Sequence, residues 1–443
     1  MIERNMYLHR HFNKNFNFLI LISLSIPLLC NLPKRPTSHY ELTVAGPVLF
    51  ADGLGRLAIG LIDTFKHDLA INFISSRPFI SLKDLPDGVK SLVTPKAKIP
   101  GNVGILFDAL WMPGNHNYKV MPDCFIKLAY SMLESTAIPQ EWVYILNKNF
   151  DAVIVPDSFY QTVYKKSGVT IPIFVLPHGV YIEELLGYPL KKQKNQPFVF
   201  GMSAGFWSRK NHELTIKAFA QEFGNTEKVL LKLHGRFGEE STRKSIMRTL
   251  KQYNLSNIIF INQLFNQQEY TQFMTSLDCY VFLSKGEGYS VTPREALALG
   301  IPCILSDNTA HKALCKTGFI IPVPCTLQEP AYYEVFKRYL GYNFNCTIQD
   351  VRKALRAVYE NYNYYLNKAR PGRTWVTQYL YKNLKPRYLQ FIKPQKVLFG
   401  PENKVTNTYI MTNSQKLYRK YKQLHDFYHQ QQYKKTHATQ KNI

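Results

Sequence analysis

Cysteine is sparse in this 443-residue sequence and never occurs in a Cys-x-x-Cys spacing. Seven cysteines, an odd number without that spacing, indicate neither a disulfide framework nor a zinc ribbon, and they favour a reducing compartment. An Asp-x-Asp motif and a cluster of histidines with cysteines are missing as well, so we predict no metal site. The chain also lacks an internal repeat, which excludes solenoid folds.

Acidic residues are scarce too. The chain has 31 Asp and Glu against 55 Lys and Arg, a formal net charge of +24. Such an excess attracts phosphate-bearing partners, namely nucleotides, nucleic acid or anionic lipid, and the charge alone does not choose among them. Most of the excess lies after residue 330, so the rest of the chain is only mildly basic.

A long hydrophobic run is also missing. Residues 16–29 are mostly apolar, but they fall short of the roughly 20 residues that a bilayer-crossing helix needs, and Pro27 would disturb their end. Basic residues precede this run, as in a signal peptide. Three interpretations stay open for residues 1–40: a signal peptide, a weak membrane anchor, or an extension of little structural consequence.

The sequence is nevertheless rich in core-forming residues, since 45% are hydrophobic and 14% are aromatic. The length predicts two domains of roughly 150–200 residues each. Short apolar runs that end in turn residues alternate with stretches of helical periodicity, as buried parallel strands and their crossover helices do. We therefore predict an α/β protein of two halves, joined by a polar, basic linker at residues 191–196.

Both halves show this alternation. The first half is predicted to have strands at 41–51, 69–74, 103–106, 152–155 and 173–176, a glycine loop at 52–56, and helices at 57–65, 125–133 and 141–147. The second half is predicted to have strands at 198–202, 229–234, 258–261, 279–283 and 302–305, and helices at 213–223 and 294–299. Beyond residue 350 the pattern is helical, and past residue 395 it predicts a partly disordered tail.

The most informative segment follows the predicted strand at 279–283. A glycine-containing loop at 284–290 leads into a helix that opens near Pro293, and ligands of α/β sheets bind outside such strand ends. Glu287 and Glu295 then face one crevice. Carboxylates only accept hydrogen bonds, which suits ribose or sugar hydroxyls rather than phosphate. The alternative is that Glu287 is solvated on its loop and that Glu295 only complements the dipole of the helix.

Residues 286–302 as a whole resemble the signature of the family 4 glycosyltransferases, which are retaining, nucleotide-sugar-dependent enzymes with the GT-B fold. One position departs, because Ser290 stands where the family usually has glycine. The resemblance implies that Glu287 contacts the donor sugar and Glu295 the ribose. It also implies that Gly288, Tyr289 and Ser290 belong to the donor site.

Further segments match this family in order over about residues 41–392, among them Glu134 in the first half. Arg209 and Lys210 resemble its phosphate-binding segment, whose cations suit a diphosphate leaving group. Where the family usually has an arginine, this chain has Gly205. We therefore assign the phosphate-binding role to Lys210 first and to Arg209 second. A solvated basic turn is the alternative.

Two sites in the first half complete the resemblance. His178 lies in the segment that leads to the second half, and the resemblance implies that it lines the interdomain cleft and takes part in catalysis. The alternative is that His178 is a polar residue that caps a strand. Gly53 and Gly55 resemble the glycine loop through which the backbone approaches the donor phosphates, a motif that is weak by itself.

These observations predict a GT-B protein whose domains are bounded as follows: an extension at 1–40, an acceptor-side domain at 41–195, a nucleotide-sugar domain at 196–375, a crossover helix at 376–392 and a basic tail at 393–443. The expected reaction moves a sugar from a nucleotide-diphosphate donor to a glycan or lipid-linked acceptor hydroxyl. We expect no cofactor beyond the nucleotide sugar, no required metal, no nucleic acid and a cytoplasmic location. The alternatives are a basic nucleic-acid-binding protein and a catalytically degenerate scaffold.

The tail suggests a second expectation. Four apolar residues at helical spacing, flanked by Lys and Arg, are typical of a basic helix that lies on an anionic membrane surface. These residues are Leu417, Tyr421, Leu424 and Tyr428. We therefore predict peripheral contact with the cytoplasmic membrane face, and a solvated tail is the alternative.

Overall fold

A computed structural model describes residues 39–50, 52–83, 85–94, 99–225, 228–394 and 408–440. The predicted apolar run at 16–29 lies outside these residues. Within them, no helix has both the length and the apolar character needed to cross a membrane.

The first lobe is built on a six-stranded parallel sheet with the order β2-β1-β3-β4-β5-β6. Its strands are β1 (Tyr40–Gly46), β2 (Ile71–Ser75), β3 (Gly101–Leu106), β4 (Ile126–Tyr130), β5 (Ala152–Val155) and β6 (Ile173–Val175). Its helices are α1 (Gly53–Phe65), α2 (Gln140–Asn149), α3 (Ser158–Ser167) and α4 (Glu183–Gly187). The inner strands are buried almost throughout, which explains their nearly continuous apolar sequence.

The second lobe repeats this plan with the order β12-β11-β10-β7-β8-β9. Its strands are β7 (Phe198–Ser203), β8 (Val229–Gly235), β9 (Ile258–Asn262), β10 (Cys279–Phe282), β11 (Cys303–Asp307) and β12 (Ile321–Pro324). Its helices are α5 (His212–Phe223), α6 (Glu240–Tyr253), α7 (Gln267–Thr275), α8 (Val291–Ala298) and α9 (His311–Cys315). The strand order reverses between β7 and β10, so the loops that follow these two strands flank the ligand crevice typical of such sheets.

A hairpin that the sequence pattern did not predict leaves the second lobe after β12. It consists of the antiparallel strands β13 (Leu327–Tyr333) and β14 (Arg338–Asn345). Large tyrosine side chains stand at exposed positions of both strands, so the sequence does not show the alternation of apolar and polar residues that predicts a strand. The segment therefore resembles an irregular one.

The chain then returns to the first lobe through helices, as predicted. These are α10 (Ile348–Glu360), α11 (Tyr362–Ala369), α12 (Pro371–Val376) and α13 (Tyr381–Ile392). The ring of Tyr381 lies where a Cβ at Gly60 or at Gly179 would be, so both glycines are needed for this helix to dock. Tyr388 and Ile392 of α13 lie in the same apolar core as β1 and β3.

The tail contradicts the membrane-surface prediction. Residues Thr408–Gln440 form one long helix, α14, so the partly disordered tail was also a wrong expectation for these residues. The predicted apolar face exists, but it is buried in the core of the first lobe. Lys420, one of the basic residues that flank this face, pairs with Asp151 of the first lobe at 2.8 Å. The hydrophobic effect that would have driven this face into a membrane therefore holds the helix to the protein.

Three further predictions of local structure were wrong. The helix expected at 125–133 is the strand β4, because its apolar residues pair with both neighbouring strands in the centre of the sheet. The strand expected at 41–51 ends at Gly46. The glycine loop expected at 52–56 is the first turn of α1, which Asp52 caps.

Candidate functional site

Glu287 lies at the centre of a buried ionic cluster at the carboxyl ends of β7 and β10. Its Oε1 atom is 2.6 Å from Lys210 Nζ and 2.9 Å from an Arg209 guanidinium nitrogen. The residue is only 4% exposed. Arg209 and Lys210 follow β7 and Glu287 follows β10, so the adjacency of these strands brings together two motifs that lie far apart in the sequence.

The first lobe completes this cluster. Glu134, which follows β4, lies 2.6 Å from the second terminal nitrogen of Arg209. Tyr160 of α3 donates its hydroxyl hydrogen to the backbone oxygen of Glu287. A Cβ at Gly286 would overlap the backbone oxygen of Glu134, so glycine is required where the two lobes meet.

Burial and charge set the ionisation of the cluster. Burial alone would raise the pKa of Glu287, but Lys210 and Arg209 outweigh it and lower this pKa to about 2. Burial, together with the charge of Arg209, lowers the pKa of Lys210. The formal charges of Arg209, Lys210, Glu287 and Glu134 cancel. An anion that enters this site would therefore find two cations already engaged by carboxylates.

Glu295 occupies a second, separate position on α8. Its Oε2 accepts a hydrogen bond of 2.5 Å from the Tyr270 hydroxyl, and its Oε1 lies 3.7 Å from Arg56 of the first lobe. The side chain is almost fully buried. A carboxylate held in this way has acceptor lone pairs left for a diol, because two oxygens offer about four acceptor sites.

His178 lies in the same cleft, against the loop that carries Glu287. Its Nδ1 is 2.9 Å from the backbone oxygen of Gly179, which must accept, so Nδ1 carries the proton and Nε2 the lone pair. Its ring centre is 3.9 Å from that of Tyr289. Burial lowers the pKa of His178 to about 3, so the ring is neutral at physiological pH.

Ser290 shows how the chain adapts to its departure from the family pattern. Its φ is 67°, a left-handed conformation that favours glycine. Its hydroxyl donates to His311 Nε2 at 2.7 Å, because His311 Nδ1 is the donor to the backbone oxygen of Ser306. This side-chain bond holds the residue in an unfavourable conformation immediately before α8, whose first amides have no acceptor within the helix.

Gly53 and Gly55 lie in the first turn of α1 and not in the predicted loop. The amides of Leu54 and Gly55 donate to the Asp52 carboxylate at 2.9 and 3.0 Å, so this turn does not present a free glycine loop. A Cβ at Gly55 would overlap the backbone oxygen of Leu49. The same turn reaches the second lobe through Arg56, which approaches Glu295 rather than Glu287.

Sequence reasoning assigned no role to four residues that contact the site: Glu134, Tyr160, Arg56 and Tyr270. Each is remote in sequence from the residue that it contacts, so no local spacing indicates the pair. Glu134 and Arg56 had a signal, because both were in segments that resembled the family, and Tyr160 and Tyr270 had none.

The described parts of the chain contain no group of three or more His, Cys, Asp or Glu placed to hold a metal ion.

Comparison with known families matches residues 189–326 to the model of glycosyl transferases group 1. Among curated proteins, EpsF of Bacillus subtilis (strain 168) is 26% identical over 172 residues, which are 36% of this chain and 41% of that protein. The uncharacterised glycosyltransferase MJ1059 of Methanocaldococcus jannaschii is 26% identical over 144 residues, 31% of this chain and 32% of that protein. The matched part thus spans less than half of either relative.

Solved structures match over a larger part of the chain. Anabaena Alr3699/HepE, in complex with UDP and glucose, superposes with a TM-score of 0.60 at 13% identity, over 80% of this chain and 100% of that one. Sucrose-phosphate synthase from Thermosynechococcus elongatus gives a TM-score of 0.57 at 14% identity, over 79% and 98%. The predicted GT-B fold, with two α/β lobes around a cleft, is confirmed.

Proposed function

We propose that this chain is a retaining glycosyltransferase of family 4, which transfers a sugar from a nucleotide diphosphate to an acceptor hydroxyl. The observation that carries the proposal is the buried cluster of Glu287, Lys210 and Arg209 at the switch point of the second sheet. The match of residues 189–326 to glycosyl transferases group 1 supports it, since this segment includes all three residues. The complexes of the Anabaena protein with UDP and with UDP-glucose suggest the type of donor.

The cations of the cluster are suited to the leaving group. As the glycosidic bond breaks, negative charge grows on the departing diphosphate, and donors that are already oriented stabilise it without reorganisation. Lys210 and Arg209 lie beside the loop before α8, so a diphosphate at this helix start would meet both cations and unpaired amides. We propose that these groups supply the necessary positive charge and that no metal is required.

The carboxylates and His178 would bind the sugar and ribose hydroxyls. Glu287 would contact the transferred sugar, and Glu295, already oriented by Tyr270, would accept from the ribose diol. His178 is neutral, so its Nε2 can accept from a sugar hydroxyl without adding charge. Neither glutamate is proposed as a covalent nucleophile.

We propose a glycan or lipid-linked acceptor that reaches the donor from the first lobe, and a cytoplasmic enzyme. We do not propose membrane contact through the apolar face of α14, because that face is buried in the core of the first lobe.

A donor panel with one variant tests the proposal. Wild-type protein is titrated with UDP- and GDP-sugars, and nucleotide release is measured with and without an added glycan acceptor. Glu295→Gln keeps the volume of the side chain but removes its charge, so nucleotide affinity should fall about tenfold, or about 1.4 kcal/mol.

The matched control is Glu360→Gln, whose side chain is 58% exposed on α10 and which should bind like wild type. Binding of no nucleotide sugar in the panel would contradict the proposed function. Unchanged affinity in Glu295→Gln would contradict the ribose role only.

A further inference from the structure

The hairpin β13–β14 is bonded to both loops of the ionic cluster. The Phe344 amide donates to the backbone oxygen of Lys285 at 2.9 Å, two residues before Glu287. The Asn211 side chain, next to Lys210, donates to Asn345 at 2.8 Å. The hairpin is therefore held against the donor crevice and is not a free surface arm.

The other side of the hairpin contacts the first lobe. Arg338 makes a two-nitrogen contact with the Glu141 carboxylate, and Phe336 stacks on Trp111 with ring centres 6.1 Å apart. The Ser135 hydroxyl, next to Glu134, donates to the backbone oxygen of Leu340. The hairpin thus spans the cleft and forms a wall beside the cluster.

Three side-chain polar atoms of this wall are buried without a hydrogen-bond partner among the described residues. They are the hydroxyl of Tyr333, the side-chain oxygen of Asn343 and Nε of Arg338, whose two terminal nitrogens bind Glu141. Buried polar groups in folded proteins are almost always hydrogen-bonded, so the wholly unpartnered hydroxyl of Tyr333 and oxygen of Asn343 require an explanation. A binding site is one, because a ligand can satisfy both of these atoms.

The Asn343 oxygen lies beside the loop of the cluster, because it would be 3.3 Å from a Cβ at Gly286. Tyr333 lies on the same face of the hairpin, four residues along β13 from Glu329, which is paired with Asn343. Burial raises the pKa of Tyr333. Tyr333 in turn helps to raise the pKa of Arg209. The phenol is therefore protonated and can donate a hydrogen bond.

We propose that Tyr333 and Asn343 form a subsite for hydroxyl groups of the transferred sugar. This inference rests on the proposed function and names a part of the donor site that lies outside the family signature. A sugar hydroxyl both donates and accepts, so one hydroxyl can accept from Tyr333 while another donates to Asn343. The carboxylates of the cluster only accept, so Tyr333 adds the donor that they lack.

The subsite has a consequence for specificity. A site built to hydrogen-bond a hydroxyl discriminates strongly against a sugar that lacks it, because its own buried groups are then left unpaired. The hairpin therefore selects among donor sugars and leaves the nucleotide contacts unaffected.

The test compares the affinity of the best-binding nucleotide sugar with that of its free nucleoside diphosphate. Tyr333→Phe keeps the ring that packs near Phe336 and removes only the hydroxyl. The nucleotide sugar should bind about tenfold more weakly, with no change for the free diphosphate. Asn343→Leu, similar in size, should act in the same direction. The control is Tyr339→Phe, which removes an exposed hydroxyl from the same hairpin and should bind like wild type.

Donors with single deoxy positions give a readout that a structural role would not move. For one of these deoxy donors, wild type and Tyr333→Phe should bind with equal affinity, because the sugar hydroxyl that Tyr333 contacts is already absent. Equal affinities of wild type and Tyr333→Phe for the nucleotide sugar would overturn the inference, as would an equal loss for the free diphosphate. Wild-type protein that binds no nucleotide sugar would instead overturn the proposed function.

Discussion

The carboxylate of Glu134 lies 2.6 Å from the guanidinium of Arg209, although 75 residues separate them and they belong to different lobes. This contact joins the lobes at the ionic cluster. It also cancels one of the two cations proposed to receive the diphosphate, so the charge of the site depends on a residue outside the second lobe.

Glu134→Gln should therefore increase the affinity for a nucleoside diphosphate. Glutamine can still accept a hydrogen bond from Arg209, but the cluster gains one net positive charge. We expect UDP or GDP, whichever binds wild type, to bind about fivefold more tightly, or about 1 kcal/mol, the scale of a partly exposed ion pair. Calorimetry measures this.

Glu141→Gln is the matched control for Glu134, because it removes another carboxylate of the first lobe that pairs with an arginine of the second, Arg338. It should leave nucleotide affinity unchanged. Weaker binding in Glu134→Gln would mean that this carboxylate orients Arg209 rather than neutralising it.

Lys210→Met should slow transfer far more than it weakens donor binding. The ammonium is proposed to act on charge that develops as the bond breaks, so its loss should raise the barrier by about 2–4 kcal/mol. Initial rates at saturating donor measure the effect. Lys217→Met, on the exposed side of α5, serves as the control. A wild-type rate would move the leaving-group role to another residue, and the first candidate is Arg236, which directly follows β8 beside β7.

The buried histidines should make the fold sensitive to mild acid. Burial lowers the pKa of His178 to about 3 and those of His234 and His311 to about 4, all below the ordinary value of 6.5. The unfolded chain then binds more protons than the folded one between these values. Their contribution to stability is fully present above pH 6.5 and falls as the pH drops towards 4.

Urea denaturation between pH 8 and 5 checks this expectation. The free energy of unfolding should be flat above about pH 7.5 and decrease below 6.5, before most carboxylates titrate. His311→Gln should reduce the slope of the unfolding free energy against pH by the equivalent of up to one bound proton. It should also lower the overall stability. An identical slope in wild type and variant would show that His311 has the same pKa in the folded and the unfolded chain.

Helix α14 should stabilise the first lobe directly. Leu424 is fully buried in its core, so Leu424→Ala should cost about 2–5 kcal/mol through lost apolar contact and the resulting cavity. Lys422→Ala, two residues away and exposed, should change stability by less than about 0.5 kcal/mol. Similar denaturation midpoints for the two variants would mean that the helix docks too weakly to contribute.

Much of the fold could be predicted from local patterns. The strands β5 and β8 and the helix α5 agree with the sequence to within one residue at each end, because short apolar runs and helical periodicity are local signals. The segment at 125–133 shows the limit of this reasoning. Its apolar residues fit a helix as well as a strand, and only the neighbours β3 and β5 decide between them.

The candidate site divides in the same way. Glu287, Glu295, Lys210 and His178 lie in stretches whose spacing resembled a known family. Glu134 also lay in a matching segment but received no role, and Tyr333 and Asn343 lie outside every matching segment. Their role depends on contacts across the cleft, which no sequence window contains.

By itself, the sequence determined the two α/β halves, most of their strands and the amphipathic character of the last helix, because each depends on residues within a few positions of one another. The tertiary structure alone decided which strands are neighbours, where the hairpin lies and what covers the apolar face of α14. An apolar stripe specifies that it must leave water but not which surface will cover it, and in this protein that surface is the core of the first lobe.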